Sequence, residues 1–269
     1  MDTVKAKILL AILSKQWKIE NKQLDINMFD YLEKSVEKKI CFSHGFEFSL
    51  IEDEKDIRFL HYYFWKSQSQ NFSINNYLKK RKASLKTLFK RINSEKNCSL
   101  NITSLTKLFE FQSKCCWPIQ FGLSYSRNDR FILKVYLSIR EKSYFSNGYF
   151  PLEEFCIIFH LSFEKLKKVI ESKKYIYDSV GIDFFPNGDN VFKFYTFNEI
   201  NQSGQLFRFS HLSKLKSHKK WFYCKNGILF ADTEPVFMMK SELNNFIVTN
   251  NLKIHYFCQE KGRKSIYLR

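Results

Sequence analysis

The feature that most limits what this chain can fold into is a two-residue alternation that returns in pairs. In RFILKVYLSIR (130–140), Leu133, Val135, Leu137 and Ile139 fall on one side of an extended strand, with Lys134, Tyr136, Ser138 and Arg140 on the other. Successive strand side chains point to opposite faces, so such a split marks a strand with one buried side. FEFSL (46–50) sets Glu47 and Ser49 against Phe46, Phe48 and Leu50, and IRFLHYYF (57–64) sets Arg58, Leu60, Tyr62 and Phe64 against Ile57, Phe59, His61 and Tyr63. GIDFF (181–185) sets Asp183 against Ile182 and Phe184; VFKFYTF (191–197) sets Lys193 and Tyr195 against Phe192 and Phe194. Every one of these strands has a greasy face and a face of tyrosine, cation or acid.

The strands come as hairpins between helices. Residues 41–51 pair with 57–65 around the acidic turn EDEKD, 118–126 with 130–140, the two halves of SVGIDFFPNGDNVFKFY (179–195) with each other, 204–212 with 218–225, and 252–259 with 264–269 around EKGR. Helical periodicity predicts helices over 3–17, 26–39, 72–95, 104–111, 151–159, 162–179 and 240–250. The expectation is an α+β protein of five hairpins, or ten antiparallel strands, with helices on the greasy side. No low-complexity or linker segment divides the chain, so residues 1–269 read as a single domain. Two architectures fit: an open sheet with a basic, aromatic wet face, or a sheet closed into a barrel with that face lining a lumen.

Composition narrows the partner. The chain carries 29 Phe and 14 Tyr beside a net charge of +17, which calls for an anion: nucleic acid, a membrane surface or a phosphorylated small molecule. Many lysines are simply solvated helix faces, as around the apolar stripe Leu78, Leu85, Leu88 and Phe89. An open sheet would suit single-stranded nucleic acid, and a closed one a buried anionic small molecule. The seven cysteines include no Cys-x-x-Cys, and the histidines are not spaced as ligands near them, which argues against zinc and for a reduced intracellular protein. ILLAIL (8–13) is too short for a signal or a membrane span. The expected protein is soluble and cytoplasmic, with no membrane partner.

VGIDFFPNGDNVFKFY (180–195) resembles the Gly-x-Asp-Phe hairpin of the cyanobactin-type peptide prenyltransferases. IRFLHYYF resembles that family's Arg-Phe strand, GFEFSLI the strand before it with its glutamate, RFILKVYLSIR a strand with a Leu-Lys pair, and LFRFS an aromatic-Gly-aromatic-Ser segment, all in the family's order. Arg208 stands where the family tends to have glycine, and Lys193 where some relatives have an acid. The resemblance implies the ABBA prenyltransferase barrel: five αββα units whose ten strands surround a central chamber inside an outer ring of helices.

It also implies a reaction, the transfer of a dimethylallyl or geranyl group from its diphosphate to a side chain of a ribosomally made, cyclic peptide. Such a site must hold the leaving diphosphate with cations and hydroxyls and shelter an allylic cation with aromatic rings. By position, Arg58 and Lys134 match the diphosphate-binding pair, Tyr195 a neighbouring tyrosine, and Glu47 a glutamate that orients the acceptor or takes its proton. Strand parity adds Lys193 and Arg208 for diphosphate and Tyr136 for the cation shield or acceptor wall. Trp221, Tyr223, His255 and Tyr267 are further candidates for that wall and equally credible packing residues. The chain has no Asp-Asp-x-x-Asp motif, so magnesium is expected to arrive with the diphosphate donor. The alternatives are a basic, aromatic-rich binder of single-stranded nucleic acid and an ABBA enzyme acting on a small aromatic acceptor. The main reading has no nucleic-acid partner.

Overall fold

A computed structural model describes residues 1–18, 27–29, 42–51, 56–65, 74–115, 119–125, 131–138, 150–173, 176–198, 203–210, 214–225, 228–229, 248–249, 251, 254–260 and 263–268, some of them by backbone alone. Among the described residues the longer helices are α1 (Thr3–Trp17), α2 (Ile74–Glu95), α3 (Ile102–Cys115), α4 (Phe150–Ile158) and α5 (Phe163–Lys173), and the strands are β1 (Phe42–Ile51), β2 (Asp56–Trp65), β3 (Ile119–Tyr125), β4 (Phe131–Ser138), β5 (Ile176–Phe184), β6 (Asn190–Asn198), β7 (Ser203–Ser210), β8 (Lys214–Lys225), β9 (Ile228–Leu229), β10 (Ile254–Glu260) and β11 (Arg263–Leu268). Among the described residues there are thus eleven strands where the sequence reading expects ten; the extra one, β9, is a two-residue pairing with Cys224 and Lys225. The helices expected over 26–39 and 240–250 lie outside the described residues apart from 27–29 and 248–249, which are helical.

Local chemistry explains most boundaries. Asp2 caps α1 by accepting a 2.9 Å hydrogen bond from the Lys5 amide, and the helix stops at Lys18, whose φ of 52° is left-handed. Asn101 Oδ1 caps α3 from the Ser104 amide at 2.9 Å, so that helix starts earlier than its apolar periodicity alone suggests. One expectation is corrected: the helix read over 162–179 ends at Lys173, and Ile176 and Tyr177 already pair with Phe197 and Thr196 of β6. Ile176 and Tyr177 are of strand-forming type, and the ladder claims them.

The chain gathers into two compact units, the first from Met1–Phe72, Gly122–Phe131 and Trp221–Arg269, the second from Ser73–Phe121 and Ile132–Lys220. In the first, the strand order is β10-β11-β1-β2, antiparallel throughout. Phe46, Phe48 and Phe59 are buried on one sheet face against Phe29, whose ring centroid lies 4.7 Å from that of Phe46 and 4.6 Å from that of Phe59. Ala6, Leu9, Leu10 and Leu13 form the buried stripe of α1. In the second unit the order is β4-β5-β6-β7, also antiparallel. Leu133, Val135, Leu137, Val180, Ile182, Phe184 and Phe194 are fully buried on its greasy face. Phe89 of α2 meets Phe184 edge-on at 4.9 Å, and Phe155 of α4 meets Phe194 at 5.6 Å. Each such side chain is worth roughly 1.5–3 kcal/mol of burial. Leu85, Leu88 and Phe89 are the core stripe of α2, while Lys79 and Lys90 are exposed, as the solvated-face reading requires.

Candidate functional site

The site in the second unit is built on the hairpin β5–β6, whose turn is held by its own hydrogen bonds. The Phe185 amide donates to the Asp189 carbonyl at 2.9 Å, the Gly188 amide to the Phe185 carbonyl at 3.0 Å, and the Asp189 amide to Asn187 Oδ1 at 3.1 Å. Gly188 takes φ +89°, a conformation that disfavours any side chain. The Ser99 amide donates to the Pro186 carbonyl at 2.8 Å, and Asn190 Nδ2 to Ser104 Oγ at 2.8 Å, so the turn is tied to the α2–α3 connection. This anchoring sets the register: Asp183 lies opposite Lys134 of β4, Gly181 opposite both Tyr136 of β4 and Lys193 of β6, and Lys193 opposite Arg208 of β7.

The polar face expected to be wet is buried at these positions. Lys193 is 2% exposed, Asp183 5% and Lys134 8%, so none of the three is a solvent-facing strand residue. Asp183 is the hub. Its Oδ1 pairs with the Lys193 ammonium, and its Oδ2 lies 3.3 Å from Lys134 Nζ. Lys193 Nζ also donates to the Tyr136 hydroxyl at 2.7 Å, and sits 4.3 Å from the centroid of that ring and 5.9 Å from that of Tyr195. The Tyr136 and Tyr195 rings meet edge-on at 5.9 Å. A buried ion pair persists only when its members are well paired and hydrogen-bonded. With two ammonium groups to one carboxylate, the cluster keeps a net positive charge under a pair of aromatic rings.

Gly181 makes this packing possible. A Cβ there would fall 2.6 Å from Tyr136 Cδ1, 2.9 Å from Cε1 and 3.1 Å from the Val135 carbonyl oxygen. The ring of Tyr136 therefore lies over the bare backbone of β5, where its hydroxyl reaches Lys193.

The first unit carries a polar row of its own. Ser49 of β1 is opposite Arg58 of β2 and Tyr267 of β11, and Glu47 lies two residues along the same face, opposite Leu60. Glu47 and Ser49 are each 4% exposed, and Arg58 and Tyr267 are half-buried. Ser49 Oγ makes no hydrogen bond among the described residues. The register also adjusts one candidate: a bulge between Ile254 and Tyr256 leaves His255 out of the ladder and brings Tyr256 opposite Tyr267. The side chains of Arg208, Trp221, Tyr223 and His255 lie outside the described residues, although their strands β7, β8 and β10 are placed.

Sequence reasoning puts Asp183 on the polar face but not among the site residues; the signal that marks it is a lone acid in an apolar strand sharing its face with two lysines. The cluster suits an anion better than a metal ion. Among the described residues no three His, Cys, Asp or Glu side chains gather as a ligand set, and the Asp183 carboxylate is already engaged by two ammonium groups. Of the described cysteines, Cys156 is fully buried, and burial pushes its thiol up to about 12, with Glu153 nearby adding to the shift. No described helix is long and apolar enough to cross a membrane.

No protein-family model matches the sequence, and a search by sequence among curated proteins finds no match. Comparison of folds does find similar structures. The 5-dimethylallyltryptophan synthase from Streptomyces coelicolor superposes with a TM-score of 0.59 at 10% identity, over 99% of this chain and 97% of that one. The same synthase in complex with DMASPP and Trp gives 0.59 at 9% identity, over 99% and 94% of the two chains. The prenyltransferase PriB, in a ternary complex with L-tryptophan and dimethylallyl thiolodiphosphate, gives 0.58 at 8% identity, over 99% and 95%. At such identities the likeness is one of fold alone: the described strands pair antiparallel, in the fold of these solved prenyltransferase structures.

Proposed function

We propose that the chain is a prenyltransferase that moves a dimethylallyl or geranyl group from its diphosphate to a side chain of a ribosomally made, cyclic peptide. The observation that supports this reading is the buried, net-cationic cluster of Lys134, Asp183, Lys193 and Tyr136, in a fold shared with prenyltransferases. The reaction breaks the allylic carbon–oxygen bond, and the electron pair leaves with the diphosphate. Negative charge grows on that oxygen while positive charge spreads over the allyl fragment. Lys134 and Arg208 are the proposed holders of the diphosphate, with the Lys193 charge in the same cluster, in a water-poor setting where charge–charge attraction is strong. The Tyr136 and Tyr195 rings are proposed to stabilise the allylic cation, at about 0.5–2 kcal/mol for each cation–π contact. The acceptor then supplies the electron pair for the new bond and loses a proton.

From the first unit, Glu47 is proposed as the group that takes this proton and Arg58 as a further cation for the diphosphate, with Trp221, Tyr223, His255 and Tyr267 as wall residues. Magnesium, in this reading, comes bound to the donor's phosphate oxygens.

A small aromatic acceptor is the second reading, because two of the solved structures with this fold hold tryptophan. Incubation with dimethylallyl or geranyl diphosphate and a panel of cyclic peptides, linear peptides and free tryptophan separates the two by mass. A gain of one isoprenoid unit on a peptide supports the main reading. Product on tryptophan alone replaces the acceptor class. Steeply salt-dependent binding of single-stranded DNA or RNA with no donor binding would replace the reading altogether.

A further inference from the structure

The two buried lysines are not equivalent, and Asp183 is what separates them. Lys193 is held on three sides: by Asp183 Oδ1, by the Tyr136 hydroxyl at 2.7 Å and under the Tyr136 ring at 4.3 Å, with 2% of the residue exposed. The ring that pins it can lie there only because residue 181 has no Cβ. Lys134 approaches the other carboxylate oxygen at the longer distance of 3.3 Å and is the more exposed of the two. When one of two cations leaves a carboxylate, the other still neutralises it, whereas the loss of both strands a buried anion. The cheaper departure is that of the less tightly held cation.

From this we infer that Lys134 and Lys193 divide the work. Lys134 is the ammonium group that turns from Asp183 to the phosphate oxygens of the donor. Lys193 is a positioning residue, locked by Tyr136 over Gly181, whose task is to keep Asp183 neutralised while Lys134 is engaged. The inference rests on the diphosphate reading of this site and assigns separate tasks to two lysines that strand parity treats alike.

The test is the affinity for inorganic diphosphate, measured by titration calorimetry on the full chain, with a melting curve for each variant to show that it is folded. Lys134→Met and Lys193→Met should each weaken binding by roughly tenfold or more, the first by removing the ligand and the second by leaving Asp183 to hold Lys134. The deciding variant is Lys193→Met with Asp183→Asn, which removes cation and carboxylate together. It should bind diphosphate within about threefold of the wild type, since a carboxylate at 183 no longer competes with the phosphate oxygens for the Lys134 ammonium group. Lys134→Met with Asp183→Asn should stay weak. If the Asn variant melts too low to assay, Lys193→Met with Asp183→Leu asks the same question through an apolar replacement of the pair. Binding by the Lys193/Asp183 double variant that stays roughly tenfold or more weaker than that of the wild type overturns the division of labour alone, because Lys193 would then be a ligand itself. A folded wild type with no affinity for diphosphate overturns both this inference and the reading of the site.

Discussion

Replacing Gly181 by Ala tests the packing on which the cluster depends. The new methyl carbon would sit 2.6 Å and 2.9 Å from two carbons of the Tyr136 ring and 3.1 Å from the Val135 carbonyl oxygen. Carbon pairs settle at about 3.5–4.0 Å, so the ring must retreat by roughly 1 Å. The backbone oxygen cannot make the room. That retreat stretches the 2.7 Å bond from Lys193 to the Tyr136 hydroxyl beyond hydrogen-bond range. A lost hydrogen bond to a buried charge costs about 1.5–3 kcal/mol and overpacking about 1–3 kcal/mol. Against these stands a gain of about 0.4–1 kcal/mol from stiffening the unfolded chain. The net expectation is a loss of about 1.5–5.5 kcal/mol, or a fall in melting temperature of roughly 3–22 °C. Urea denaturation of Gly181→Ala in wild-type and Tyr136→Ala backgrounds measures the effect and its cause. The cost should shrink by more than about 1 kcal/mol once the ring is gone. A neutral or stabilising Gly181→Ala, as at an open strand position, would refute the argument.

Other outcomes follow from the same structure. Asp183→Asn leaves two buried ammonium groups without their carboxylate and should cost about 3–5 kcal/mol in denaturant unfolding, a loss that Lys193→Met on the same chain largely restores. Phe155→Ala removes a ring that meets Phe111, Phe159 and Phe194, and should cost about 3–5 kcal/mol by the same measurement. The Cys156 thiol is raised to about 12 in the fold, so its contribution is fully present below the unfolded thiol's value and is lost as pH climbs towards the folded one. Wild-type stability should therefore fall by up to about 1.4 kcal/mol per pH unit more steeply than that of Cys156→Ala through the alkaline range, as read from denaturation curves.

Much of the fold was legible because burial enforces a period. The alternation in 130–140 and 191–197 names the buried Leu133, Val135, Leu137, Phe192 and Phe194, and the apolar stripe of 75–96 names Leu85, Leu88 and Phe89. Helix ends were less legible. Lysines and apolar residues continue the helical pattern past Lys173, and only pairing across to β6 shows that Ile176 is strand. The candidate site was legible one strand at a time. Alternation says which face Lys134, Asp183 and Lys193 share, but which of them touch depends on register, and register depends on a turn whose hydrogen bonds to Ser99 and Ser104 come from a distant segment. The role of Gly181 was hidden for a similar reason: a missing Cβ matters only beside a particular ring on the neighbouring strand. His255 and Tyr256 show the limit of parity, since the bulge between Ile254 and Tyr256 shifts which residue is opposite Tyr267.

The most direct test of the central claim is equilibrium binding of dimethylallyl thiolodiphosphate, whose carbon–sulfur bond resists ionisation, to the wild type and to Lys134→Met, with a single-stranded oligonucleotide titrated in parallel. The account predicts saturable binding of the thiolodiphosphate, weakened roughly tenfold or more by loss of the Lys134 charge, and no comparable affinity for the oligonucleotide. Tight oligonucleotide binding by a folded protein that ignores the thiolodiphosphate would contradict it.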